Sequence, residues 1–508
     1  MEIQVKPLAA DPALAAEDAA VLAPKLDATL DPANWDAFAA LAHRAVDDMV
    51  AFLAGGRGRS AWRPLPSDVR DAFHETLPMG GTSPELVYAD FARLILPYTL
   101  GNTHPRFWGW VTGSGAPMGV LADMLAAAMN INAAGWDQAA VSVEEQVLQW
   151  WVELLGLPPE AGGVLVSSGS QASLVALAVA RTDRAGYDIR AAGVRGARLK
   201  FYCSTETHSS IQKAVEVLGH GSDSVCFVPV DREFRIDIRS LTQMVLADRA
   251  RGYMPICVIA NAGTVNTGAI DDLAGIADIC RREEMWMHVD GAIGAAVAFS
   301  SRLRPLLAGI ERADSVTCDM HKWLYLPYDV ACTLVRDPSK HRAAFSILPS
   351  YLAPTGRGTA PTPLKFAQLG IDLSRSFRAL KVWMAMKTYG VEGYSRMIEQ
   401  NVDQAAYLQA RIRHEPLLEL LAATPLNVVC FRYRQPSLDE KSLDDLNQEI
   451  LTRMQEQGIA VPSATRVRGR FAIRVAIVNH RSRGEDFDQF LEAVIRLGAQ
   501  ICQENRAE

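Results

Sequence analysis

Between residues 34 and 54 apolar side chains return at helical spacing (Phe38, Leu41, Ala45, Met49, Phe52) until Gly55 and Gly56. That period predicts an amphipathic helix ended by the glycine pair. A second helical pattern covers 84–96. Further on the period switches back and forth. Short apolar runs at 199–204, 256–260, 286–290, 315–318 and 331–336 are separated by helical stretches such as 273–284. This alternation predicts an α/β fold, a mostly parallel sheet covered by helices. A Pro-, Gly- and Thr-rich stretch at 351–363 predicts a long mobile loop of the kind that serves as a lid. A long helix then begins within 375–389. After it a smaller α/β unit reads strand 427–433, helix 444–457, strand 471–477 and helix 486–500. The expected division is an N-terminal helical segment (1–100), a large domain (101–375) and a small C-terminal domain (376–508). Residues 1–30, rich in Ala, Asp and Pro, suggest a loosely held arm.

With 508 residues the chain is longer than one hydrophobic core usually organises, in keeping with that division. Its net charge is −7 and its basic residues are scattered, which argues against nucleic acid or an anionic membrane as the main partner. Eight cysteines without a CxxC pair make neither a disulfide framework nor a zinc site, so no metal is expected. The start lacks the charged and apolar blocks of a signal peptide, and no apolar run reaches membrane-spanning length. The expected location is the cytoplasm.

In a parallel sheet the chemistry collects at the carboxyl ends of the strands, and four such ends carry reactive groups. The run 315–318 leads into Asp319, Met320, His321 and Lys322. A lysine at the mouth of a strand can be desolvated enough to lose its proton and form a Schiff base. The run 286–290 ends in Asp290, and 164–166 leads into Ser167, Ser168, Gly169 and Ser170 at the start of a helix. The strand at 199–204 leads to His208. A lysine, a strand-end acid, a turn able to hold phosphate and an imidazole able to stack are together what pyridoxal 5′-phosphate requires.

With these residues in this order, the chain over 101–483 resembles the group II pyridoxal-phosphate-dependent decarboxylases, the family of aromatic-L-amino-acid decarboxylase. The resemblance implies fold type I and a homodimer whose N-terminal segments pack across the partner. Lys322 is then the Schiff-base lysine, Asp290 the partner of the pyridine nitrogen, and Ala292 and His208 the residues on the two ring faces. Gly169 and Ser170 hold the phosphate; Thr264, Asp319 and His321 complete the cofactor site. Trp110, Asn132 and Ala134 fall where relatives wall the substrate pocket, with Asn132 and Ala134 replacing larger apolar residues. Two departures stand out: Gly263-Thr264-Val265 replaces Gly-Thr-Thr, and Met320 replaces a proline. The implied activity is that of a carboxy-lyase, decarboxylating an L-amino acid, possibly aromatic, to the amine. In the family a loop tyrosine supplies the proton for the α-carbon. Counting back from 373–378 puts Phe366 at its position, and Tyr351 is the other phenol on the loop. Phe366 there would favour an aldehyde product, with ammonia and peroxide. A carbon–carbon lyase is a further possibility on the same scaffold.

Overall fold

The computed structural model describes residues 29–196, 198–423 and 425–507. Nearly all of the expected arm at 1–30 lies outside them. The central sheet has seven strands: β1 (Gly162–Val166), β2 (Leu199–Ser204), β3 (Val225–Val228), β4 (Met254–Asn261), β5 (Trp286–Asp290), β6 (Ser315–Asp319) and β7 (Ala331–Val335). They lie in the order β1-β7-β6-β5-β4-β2-β3. Only β7 runs against its neighbours, β1 and β6; the pairs among β2 to β6 are parallel. The reversal has a simple cause. Residues 320–330 are too few for the dozen or so that a parallel crossover needs, so the chain folds straight back on β6. Lys322 sits in that return.

Strands β4 to β7 are buried almost throughout, as a sheet covered on both faces requires. One cover is the helix Gly169–Arg184, whose Val175, Ala176, Leu177 and Val179 face the core. A second, antiparallel sheet is formed by β8 (Leu418–Leu420), β9 (Val428–Tyr433), β10 (Ser463–Val467) and β11 (Arg470–Ala476), in the order β10-β11-β9-β8. The helices Glu440–Glu456 and Gly484–Ala507 accompany it. Trp108, from the chain before the large sheet, stacks on Phe487 at 4.8 Å within this second core. The long helix Ala379–His414 links the two sheets and is interrupted at Gly390.

The N-terminal helix runs Trp35–Ala54, with the Asn34 side chain accepting from the amides of Asp36 and Ala37. The pattern at 84–96 is an α-helix only over Pro84–Asp90, followed by a wider π turn at Phe91–Ile95 and a 3₁₀ turn at Leu96–Tyr98. Pro97, which has no amide proton to donate, lies in the last of these turns.

A buried ion pair ties the approach to the sheet together. Arg375 donates to Glu144 Oε1 at 2.5 Å, to the Leu165 carbonyl at 2.8 Å and to the Ala133 carbonyl at 2.7 Å. Glu144 Oε1 also accepts from the Leu165 amide at 3.0 Å.

His104, His288 and His341 are buried, and burial pushes each imidazole down to about 4. A group whose folded value lies below its unfolded one resists protonation only while folded. Its contribution is therefore complete above about 6.5 and is lost as pH falls toward 4. Urea midpoints should stay flat from pH 8 to 7 and fall steadily below 6.5. Replacing His288 with an uncharged residue of similar size should flatten that fall.

Candidate active site

At the end of β6, Asp319 is followed by the single helical turn Met320–Trp323. The turn brings Lys322 back over Asp319, with Nζ 2.7 Å from Oδ2. His321 lies in the same turn, its Nε2 3.7 Å from that oxygen. Burial by itself pushes the Lys322 ammonium down, but Asp319, helped by Asp290, outweighs it and holds the amine above its ordinary value. The expectation of a lysine that loses its proton through desolvation is therefore corrected. A buried carboxylate at hydrogen-bond distance keeps the charge on.

Two close approaches set this turn in place. A Cβ on Gly169 would lie 2.7 and 2.8 Å from the Asp319 oxygens, so the helix Gly169–Arg184 begins directly against that carboxylate. A Cβ on Gly113 would lie 1.9 Å from the His321 carbonyl oxygen and 2.7 Å from that of Lys322. Only glycine lets residues 112 and 113 lie so near the lysine. At the helix start, Ser168 caps the amide of Gln171, and the Gln171 side chain braces Ser167 and Asp372. The first-turn amides of Gly169 and Ser170 have no carbonyl partner within the helix, which suits an anion.

Asp290 ends β5 half-buried, its Oδ1 accepting from the Ala292 amide at 3.1 Å. Burial raises its carboxyl, and Lys322 is the main influence in the other direction. His208 follows β2; burial lowers its imidazole, while Asp290 pulls it up and Lys322 pushes it down. The Ser210 amide donates to Nδ1 at 3.1 Å, so neutral His208 carries its proton on Nε2. Lys322, Asp319, Asp290 and His208 thus lie within reach of one another's charge, beside the helix start at Gly169.

These residues fit pyridoxal phosphate. Lys322 would offer the amine, Asp290 an anion for the ring nitrogen, His208 and Ala292 surfaces for the ring, and Gly169 and Ser170 free amides for the phosphate. Asp319 Oδ1 is buried without a donor beside that helix start.

Other expected residues lie in different surroundings. The Thr264 hydroxyl is engaged inside its own loop, 3.0 Å from both Thr267 Oγ1 and the Ala269 amide. Asn132 and Ala134 belong to the Arg375 knot, where Asn132 Oδ1 accepts from the Arg375 amide and the Ala134 carbonyl from the Phe366 amide. Phe366 is 1% exposed and packs under the Arg375 guanidinium at 4.9 Å. Tyr351 is 75% exposed, and its hydroxyl has no partner among the described residues. Trp110 is half-exposed, three residues before Gly113, in a left-handed backbone conformation (φ 56°) that costs an ordinary residue about 1–3 kcal/mol. The buried Arg474 holds it there, donating to the carbonyls of Trp110 and Val265.

Sequence reasoning missed Arg474, Gly113 and Tyr328. The Tyr328 ring lies 4.4 Å from that of His321. Its place in Pro327-Tyr328-Asp329, just after the lysine, was the available signal. Size alone does not locate the site: a cleft of about 1080 Å³, lined by Trp150, His341, Lys365 and Phe366, does not include Lys322. Among the described residues no group of three or more His, Cys, Asp or Glu could hold a metal ion, and no helix is long and apolar enough to cross a membrane.

A seven-stranded, largely parallel sheet with a lysine, an acid and a helix start at its carboxyl edge defines a pyridoxal-phosphate enzyme of fold type I. The pyridoxal-dependent decarboxylase conserved domain matches residues 66–434, and the chain belongs to that family. It is 32% identical over 465 residues to an aromatic-L-amino-acid decarboxylase of Bacillus atrophaeus, covering 91% of this chain and 95% of that one. The enzyme of the same name from Sus scrofa is 30% identical over 486 residues, covering 91% and 97%. The crystal structure of Oryza sativa TDC with PLP and tryptamine superposes with a TM-score of 0.85 at 27% identity, covering 93% of this chain and all of the other. The protein is a pyridoxal-phosphate-dependent amino-acid decarboxylase, a carboxy-lyase.

Asp290→Asn should retain the cofactor, judged by visible absorbance after gel filtration. It should lose turnover by on the order of 10²-fold or more, because an amide no longer holds the proton on the ring nitrogen. Near-natural turnover would remove Asp290 from the chemistry.

Proposed function

We propose that this protein converts an aromatic L-amino acid to its amine and CO2, as a homodimer, with Lys322, Asp290 and His208 at the centre of the site. The observation that carries the reading is the gathering at one sheet edge of Lys322, 2.7 Å from Asp319, with Asp290 at the end of β5 and His208 after β2. Pyridoxal phosphate, when bound, supplies the aldehyde that takes up the substrate amine and a ring that accepts the electron pair left at the α-carbon.

The chain's own residues do the rest. Asp319 orients Lys322, whose amine would hold the cofactor. Asp290 would keep a proton on the ring nitrogen, and His208, neutral with its proton on Nε2, and Ala292 would pack against the ring. Gly169 and Ser170 would bind the phosphate through their amides, and His321 lies in the same turn as Lys322. The half-exposed indole of Trp110, beside Gly113, is an apolar surface suited to an aromatic side chain. The relatives named for aromatic amino acids support the same substrate class.

Support for the dimer comes from surface chemistry. The helix Trp35–Ala54 buries none of its residues, and Trp35, Phe38, Val46 and Val50 are exposed along it. Val120, Leu121, Met124, Leu125 and Met129 add an apolar stripe on the helix Pro117–Met129. Exposed apolar side chains grouped in this way support an interface with a second copy of the chain. A reducing, cytoplasmic location accords with eight free cysteines. The aldehyde outcome rests on Phe366, and its packing beneath Arg375 speaks against a role at the α-carbon.

The test is a panel of L-amino acids assayed together for CO2, amine, ammonia and peroxide, on material whose mass is followed by sedimentation. Equal CO2 and amine from Trp, Tyr or Phe, by a dimer that survives dilution, is the expected result. Peroxide and ammonia in place of amine, a product formed without CO2, or a fully active monomer would refute it.

A further inference from the structure

Among the described residues, neither loop candidate is placed to donate a proton at the lysine. Phe366 is packed beneath Arg375, and Tyr351 is exposed on the surface. The turn that carries Lys322 brings a phenol of its own. Tyr328 lies in the short return between β6 and β7, with its ring tilted 36° over His321 at a centroid distance of 4.4 Å. Half of the residue is exposed, so one side remains open to a ligand. Thr112 and the Gly113 backbone lie close enough to its oxygen to pull the phenol down against the effect of burial. That pair is the segment wedged against the lysine turn, where a Cβ on Gly113 would meet the carbonyls of His321 and Lys322.

We propose that Tyr328 is the acid that protonates the substrate α-carbon once CO2 has left. This rests on the decarboxylase reading and adds the proton donor to it. The bond between the α-carbon and the carboxylate breaks, and CO2 departs without the electron pair. The Tyr328 O–H bond then breaks, its proton forms the new bond to the α-carbon, and water later returns a proton to the phenolate. The sum is amino acid to amine plus CO2, with no oxidant and no reductant.

The surroundings suit both halves of that transfer. Burial holds the phenol above its ordinary value, so it carries its proton through neutral pH. Thr112, the Lys322 charge and the Gly113 amide act in the opposite direction, against Asp319, and favour the oxygen anion once the proton has gone. His208 is a weaker candidate, because its Nδ1 is tied to Ser210 and its proton sits on a ring that covers the cofactor face.

The test uses Tyr328→Phe holoenzyme and whichever of L-tryptophan, L-tyrosine and L-phenylalanine the natural holoenzyme decarboxylates fastest. Cofactor binding is titrated first without substrate, by visible absorbance. CO2 and amine are then followed separately by rapid quench. Unchanged cofactor affinity is expected, with a CO2 burst of about one per site and amine formation slowed on the order of 10²–10⁴-fold, the range for loss of a positioned acid. Thr112→Val should slow amine formation in the same direction and leave the burst intact. Amine keeping pace with CO2 at the natural rate in Tyr328→Phe would overturn the proposal while leaving the decarboxylase reading intact. So would equal loss of the burst and of cofactor affinity, which would make Tyr328 a structural residue. Absence of CO2 from the natural holoenzyme with all three amino acids would instead defeat the reading on which the proposal rests.

Discussion

The Lys322–Asp319 ion pair is the constraint that the rest of the site accommodates. Asp319 is nearly fully buried, and a buried charge is costly without a partner at hydrogen-bond distance, which Lys322 provides at 2.7 Å. The one-turn helix after β6 provides that partner three residues on, and β7 must then return antiparallel because the connection is short. Gly169 lets a helix start touch the pair from one side, and Gly113 lets an extended segment touch it from the other. A methyl group at either position would displace the turn on which the lysine stands.

Charge balance accounts for much of what surrounds the pair. Two carboxylates, Asp319 and Asp290, face one ammonium, and the nearby imidazole is held neutral by burial. Burial raises the Asp290 carboxyl, and the Lys322 charge only partly offsets it. A protonated ring nitrogen beside Asp290 would supply further positive charge, and Asp290 would favour that proton. At the phosphate end, the free backbone amides of the helix start would be the donors.

What could be read from the chain was whatever is local. β2 and β5 match the patterned runs residue for residue, and Lys322, Asp290 and Gly169 stand at strand ends that period and residue type mark. β3, β8 and β10 are too short, or too mixed in polarity, for a period to show. Contacts made across long stretches of sequence were invisible: the Arg375–Glu144 pair, Arg474 on the Trp110 and Val265 carbonyls, and Gly113 against the lysine turn. Phe366 was assigned by counting through a loop, whereas its surroundings are decided by Arg375, nine residues on, and by the Ala134 carbonyl. The Thr264 hydroxyl closes its own loop on Ala269, a local contact that a motif match does not reveal.

The central claim is that the cofactor is carried by Lys322 and by no other buried amine. Lys381 is the instructive competitor: it too is buried and paired with a carboxylate, Asp123 Oδ2 at 2.9 Å, but it lies on the helix Ala379–His414. Borohydride reduction of the holoenzyme, followed by proteolysis and mass spectrometry, reads the attachment directly. The pyridoxyl mass is expected on the peptide containing Lys322, and none of it in Lys322→Ala. The same mass on a Lys381 peptide, or its persistence in Lys322→Ala, would contradict the account.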